Sequence, residues 1–237
     1  MNNTDITVHI QVFKNKRAVE ECIKRFRKHF PDTKLVMHGD NGDNFEYLSK
    51  EYNFDYIHWN DGIPPVNFAG GKWKEYLKRL LTTCEKHPNE WFLLMEEDVN
   101  TLHSNIEFPD CDFAGVRGQP FSAEFNNYVN KIHPYNQYAK YNSCGGSLIK
   151  MSALTESIYS VLDDKINLYQ INNLDNRILQ YLDVLISAIL HLNGFMYGEW
   201  EQLSETSSEV YKENPVFDHS WKEFYDYDEY NKFRGYN

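Results

Sequence analysis

Trp91-Phe92-Leu93-Leu94-Met95-Glu96-Glu97-Asp98-Val99 joins an apolar run to three consecutive acids. Phe92 to Met95 reads as a short buried strand, because a few consecutive apolar residues bounded by polar ones suit a strand covered on both faces. An ionised carboxylate is costly to bury unless it is paired or metal-bound. A core strand ending in acids therefore either delivers them to a cleft at the edge of a sheet or exits into a solvated acidic turn. In a cleft, carboxylate oxygens suit Mg²⁺ or Mn²⁺, ions that commonly partner phosphates.

Composition narrows the classes. The 237 residues allow one large domain with a substantial core, and 17 Tyr and 15 Phe argue against disorder while suiting pockets that stack rings or sugars. A net charge of −11 would repel nucleic acid and anionic membrane, so no nucleic-acid partner is expected. No stretch has the apolar length of a transmembrane segment, and MNNTDITVHI does not read as a signal peptide. Cys22, Cys84, Cys111 and Cys144 lack paired spacing and read as reduced, mostly buried thiols of a cytoplasmic protein.

Working outward from the acids, the first sixty residues alternate. Strands are expected at 6–13, 34–37 and 54–58, with helices at 14–30 and 45–52, and a turn over His38 to Asp43. Strands separated by helices of this length imply parallel pairing. A breaker-rich loop over 60–71 precedes a helix over 72–86 and the acidic strand. Beyond it, 112–116 reads as a strand, 117–141 as a loop without period, 147–151 as a strand, and 153–162 as a helix that Ser152 caps. Asp183 opens a further helix, and an acidic, aromatic tail or flap follows Gly198. The whole is expected to be a single α/β domain, with two halves (1–99 and 100–199) and a tail (200–237).

Several residues admit two readings each. Asp40 or Asp43, just past the second strand, lies where a base or ribose binds, or forms an Asx turn. Gly70-Gly71-Lys72 brings N–H groups and an ammonium toward a phosphate, or starts a helix with a solvated lysine. Gly145-Gly146 lets backbone approach a sugar, or makes a tight turn. Asp183 faces an acceptor hydroxyl as a base, or caps its helix. His219 binds a borderline metal, or sits on the surface of an acidic tail.

In this order the pieces resemble the GT-A fold of nucleotide-sugar glycosyltransferases, over nearly the whole chain. Glu96-Glu97-Asp98 sits where that family carries its acidic metal motif, although it begins with Glu. Asn142-Ser-Cys-Gly-Gly-Ser147 is similar to the glycine-rich loop lining the donor-sugar pocket. Leu182-Asp183-Val184 resembles a Glu-Asp motif whose Asp is the base of inverting members, with Leu in place of Glu. His219 looks like the late histidine that completes metal coordination.

The resemblance implies a mostly parallel mixed sheet flanked by helices, and a metal-dependent enzyme moving a sugar from a UDP-sugar to a glycan, glycoprotein or small hydroxyl acceptor. It implies Asp183 as base, Asp98 and His219 as ligands of Mn²⁺ (or Mg²⁺), and donor contacts from Asp40, Lys72, Glu96, Glu97, Gly145 and Gly146. Glu96 and Glu97 would reach a ribose hydroxyl or metal-bound water. Two alternatives share the architecture: a catalytically inactive domain that binds carbohydrate, and a sugar-1-phosphate nucleotidyltransferase. The latter wants a glycine-rich basic loop after the first strand, where Phe13-Lys-Asn-Lys-Arg17 has the charge and no glycine. Glycosidase chemistry wants two carboxylates spanning one bond, and the acids here are bunched.

Overall fold

A computed structural model describes residues 5–63, 71–116, 118–135, 139–142, 146–204 and 213–219. Gly145, expected in the donor pocket, lies outside them, as do Gly70 and Cys144.

Strands β1 (Ile6–Val12), β2 (Lys34–Asp40), β3 (Asp55–Trp59) and β4 (Trp91–Glu96) alternate with helices α1 (Lys16–His29), α2 (Glu46–Tyr52) and α3 (Lys72–Lys86). The four strands pair in parallel in the order β3-β2-β1-β4. The chain thus steps away from β1 for two strands and then crosses back to its other side for β4. Such a reversal opens a crevice at the carboxyl ends of the two central strands.

Strand alternation explains the layers. Ile6, Val8, Ile10 and Val12 of β1 and Trp91, Leu93 and Met95 of β4 share one face with the apolar residues of α1 and α2. Phe92 points the other way, into a second core with α3, α5 (Met151–Leu162) and α7 (Leu182–Leu192). Successive side chains of a strand face opposite sides, so a fully apolar β4 belongs between two helical layers.

Beyond β4 the sheet becomes mixed. Strand β7 (Gly146–Lys150) runs antiparallel to β4 and to β6 (Phe113–Gly115), and β6 lies parallel to β8 (Tyr197–Glu199). A second sheet orders β5 (Asn100–Thr101), β10 (Phe217–Asp218) and β9 (Leu203–Ser204) as β5-β10-β9. The architecture is therefore mixed α/β, a seven-stranded sheet flanked by helices.

Several local expectations need correction. His38-Gly39-Asp40 is not a turn but the buried end of β2, held in register against β1 and β3. The stretch 117–141 is not all loop: α4 (Ala123–Ile132) forms there, capped by Ser122, whose hydroxyl accepts the Phe125 N–H at 3.1 Å. Ser152 caps nothing, because α5 already begins at Met151. Asp183 is not an N-cap either; Tyr181 holds that position in extended conformation, without a capping side chain. The tail contributes β9 and β10 rather than running without order over its described part. Cys22, Cys84 and Cys111 are buried free thiols. Among the described residues no helix is long and apolar enough to cross a membrane.

Candidate active site

A cavity of about 710 Å³ opens at the carboxyl ends of β1, β2 and β4. Its walls come from Gln11 to Lys14 at and past the end of β1, Asp40 and Asn41 at the end of β2, Gly62 and Ile63 after β3, and Leu94 to Asp98 of β4 and its turn. Ser147 and the first turns of α7, through Leu182, Asp183, Ile186 and Ser187, complete the lining. The volume falls in the range of sites that take small molecules.

The acids sit where strand pairing ends. The Val99 N–H donates to the Glu96 carbonyl at 3.2 Å, folding Glu96 to Val99 into a tight turn. Residues 100–101 then pair antiparallel with β10 in the register Asp218↔Asn100 and Phe217↔Thr101. One step further, that register sets His219 opposite Val99, beside Asp98, and the His219 N–H is held by the Ser204 carbonyl at 2.9 Å. The imidazole Nε2 lies 2.9 Å from an Asp98 oxygen and 3.5 Å from a Glu96 oxygen.

One ligand atom from each of Glu96, Asp98 and His219 falls within 4.8 Å of the others. Asp98 and His219 are buried, at 8% and 4% exposure, so two carboxylates and an imidazole converge largely out of water. A proton on the ring or a divalent cation shared by all three would balance such a cluster. Two oxygens and one imidazole nitrogen fit Mn²⁺ better than Mg²⁺. Glu96 thus stands beside Asp98 in this cluster, where a contact to ribose or to metal-bound water had been expected.

Asp183 lines the same cavity from the second position of α7. Its Oδ1 accepts the Val184 N–H at 2.9 Å. The helix N-terminus behind it favours negative charge. The placement follows from α7 being largely apolar, with Val184 to Leu192 buried, so that its one carboxylate sits in the first turn at the edge of the core.

Asp40 reaches the cavity wall with its carboxylate already engaged. It pairs with Arg79 of α3 at 2.8 Å, accepts the Ile63 N–H at 2.8 Å, and takes the Gln11 amide at 3.0 Å. Arg79 also donates to the Asp61 carbonyl at 2.6 Å and stacks on Trp59, 4.8 Å from the ring centroid. One buried ion pair, at 4% and 6% side-chain exposure, thus ties the ends of β1 and β2 to the loop after β3. Removing either partner of such a pair leaves a buried charge, at a cost of about 3–5 kcal/mol.

Beneath it, His9 and His38 stack at 4.4 Å and share the Thr83 hydroxyl, at 3.0 Å and 2.8 Å. The Trp59 indole N–H donates to His38 Nδ1 at 2.9 Å. An indole can only donate, so His38 carries its proton on Nε2 and stays neutral. Burial, with Arg79 nearby, pushes its pKa down to about 3.

Two expected donor contacts fall elsewhere. Lys72 does not line the cavity; its ammonium pairs with Glu75 at 3.0 Å, one helical turn on. Gly146 also lies off the cavity surface: a Cβ there would meet Leu203 and the Leu94 carbonyl at 3.5 Å, ordinary contact inside the fold. A close approach that needs a glycine occurs nearby at Gly115, where a Cβ would lie 2.6 Å from Asn142. That space lets the Asn142 N–H donate to Ser187 and its amide to Ser147, both at 3.1 Å, which pins the loop to α7 and β7. Among the described residues, none of 117–141 lines the cavity, whereas Gly62 and Ile63 of the breaker-rich loop do.

Sequence reasoning missed Arg79, Tyr76 and Ser187. Tyr76 lies on the patterned face of its helix, where an apolar partner was the default expectation, whereas Arg79 and Ser187 lie off the apolar stripes of theirs, and the pattern gave no signal for them.

No protein-family model and no curated protein matches the chain. Among solved structures, the chain is similar to the galactosyltransferase LgtC in complex with donor and acceptor sugar analogs. The two share 14% identity at a TM-score of 0.48, over 90% of this chain and 86% of that one.

Proposed function

We propose that the chain is a divalent-metal-dependent glycosyltransferase of the GT-A type. It moves a sugar from a nucleotide diphospho-sugar, with UDP as the carrier, to a hydroxyl acceptor with inversion. The observation that carries this reading is the convergence of Glu96, Asp98 and His219 at the crevice end of β4, on a cavity that Asp183 also lines.

Glu96, Asp98 and His219 would hold Mn²⁺, which supplies neutralising charge for the departing diphosphate. Asp183 takes the proton of the acceptor hydroxyl as its oxygen attacks the anomeric carbon, while the bond to the diphosphate breaks on the opposite face. Leu94, Leu182 and Ile186 keep water from the reacting carbon, because an apolar wall offers it no hydrogen bond. The Asp40–Arg79 pair sets the shape of the β1–β2 end, where a nucleoside would lie.

Incubation with a panel of UDP-sugars tests the proposal by UDP release. Release that requires Mn²⁺ and falls to background in Asp98→Ala, with the variant still folded by circular dichroism, is the expected outcome. Release equal in both proteins, or none from any nucleotide sugar, refutes it.

A further inference from the structure

The charge on the cavity wall poses a problem for the proposed ligand. Glu96, Glu97, Asp98, Asp183 and Asp40 all line it; Asp40 is paired with Arg79, and Glu96 and Asp98 face His219. A diphosphate entering this space adds negative charge to carboxylates. One divalent cation at the triad balances the carboxylates that hold it, and the phosphates then call for a further positive charge.

Among the described residues lining the cavity, a single one carries a cationic side chain: Lys14. It sits in the three-residue step from β1 into α1, and that step is held at both ends. The Lys14 carbonyl accepts the Lys16 N–H at 2.8 Å, and the Phe13 carbonyl accepts the Asp43 N–H at 2.8 Å. Asn15 then caps α1 by accepting the Ala18 N–H at 3.3 Å. Lys16, the next basic residue, is turned to Glu20 at 3.8 Å and to the Tyr47 ring. The Lys14 ammonium lies over the exposed Phe13 ring, 4.9 Å from its centroid. A cation resting on an exposed ring loses little when it swings to a better partner.

We propose that Lys14 is the diphosphate-binding cation of this cavity. It moves from the Phe13 ring to the phosphate oxygens once a nucleoside diphosphate lies along the end of β1. A lysine suits the task, since its ammonium acts as a mobile point charge on a flexible stem. The inference rests on the proposed nucleotide-sugar reading and adds a residue to it. It also gives the basic step Phe13-Lys-Asn-Lys-Arg17 a use that requires no glycine-rich loop.

Calorimetric titration of wild type, Lys14→Gln and Lys14→Arg with Mn²⁺ alone and with UDP plus Mn²⁺ tests this, with ligand-detected NMR for uridine. Lys14 is exposed, so both variants fold. Lys14→Gln should bind UDP about tenfold more weakly, with a flatter salt dependence, and keep wild-type affinity for Mn²⁺ and for uridine. Lys14→Arg should recover most of the loss. Unchanged UDP binding in Lys14→Gln overturns the assignment and leaves the nucleotide-sugar reading standing. Equal weakening toward uridine overturns it as well, since the residue would then act on the nucleoside or the fold. Wild-type protein that binds no UDP in the presence of Mn²⁺ overturns both.

Discussion

Asp183 illustrates how position and chemistry separate at the scale of one residue. An aspartate opening a helix is ordinarily a cap, but here Tyr181 is the N-cap residue, and Asp183 uses one oxygen on its neighbour's N–H and borders the cavity. An asparagine in its place keeps an oxygen for that N–H and loses the ability to take a proton. Asp183→Asn is therefore expected to lower kcat by about 10²- to 10⁴-fold with UDP affinity unchanged. Steady-state kinetics beside UDP titration checks it; transfer near the wild-type rate removes Asp183 from the role of base. The acids of β4 were legible because a run of carboxylates after four apolar residues has few physical explanations. Lys72 and Gly146 fall off the cavity lining, because residue type reports what a group can do and not which way its element faces. Lys72 pairs along its own helix, and Gly146 is already a strand residue against Met95.

At the scale of elements, long amphipathic helices and buried strands were readable, and short or atypical ones were not. The 72–86 helix matches its expected bounds, since its apolar residues recur at helical spacing over four turns. Helix α4 escaped because it buries only Phe125 and Val129 and is otherwise rich in Asn and Tyr, which read as loop. Strands β9 and β10 are two residues each, too short for any period, and their pairing is a tertiary fact. The element most exposed to pH is the β1–β2–α3 layer. His9 and His38 lie there at depressed pKa, and His191 in α7, 1% exposed, is pushed down to about 4 by burial.

An unfolded histidine titrates near 6.5. Between that value and the folded ones the unfolded chain binds more protons, so stability falls as pH drops below about 6.5 and these groups add no slope above it. Each contributes up to about 1.4 kcal/mol per pH unit inside the window. The melting temperature should fall from pH 7 to pH 5, and less steeply in His191→Gln, whose amide can still donate to the Lys140 carbonyl. A melting temperature flat over that range, or an unaltered slope in the variant, contradicts the buried neutral state.

For the whole molecule, topology does what no single motif does. The step from β3 back across to β4 opens the crevice, β10 returns from the far end of the chain to set His219 against the β4 turn, and α7 aims its first turn into the same space. Three stretches separated by about eighty and thirty-five residues in sequence thereby form one site, which is why its composition was readable and its geometry was not. The central claim is that Glu96, Asp98 and His219 hold one divalent cation that meets a nucleoside diphosphate. The most direct test is a crystal grown with MnCl₂ and UDP, measured at the manganese absorption edge. The account predicts an anomalous peak coordinated by Glu96, Asp98, His219 and the phosphates, with UDP along the ends of β1 and β2. Manganese absent from that cluster, or UDP bound elsewhere without it, would contradict the account.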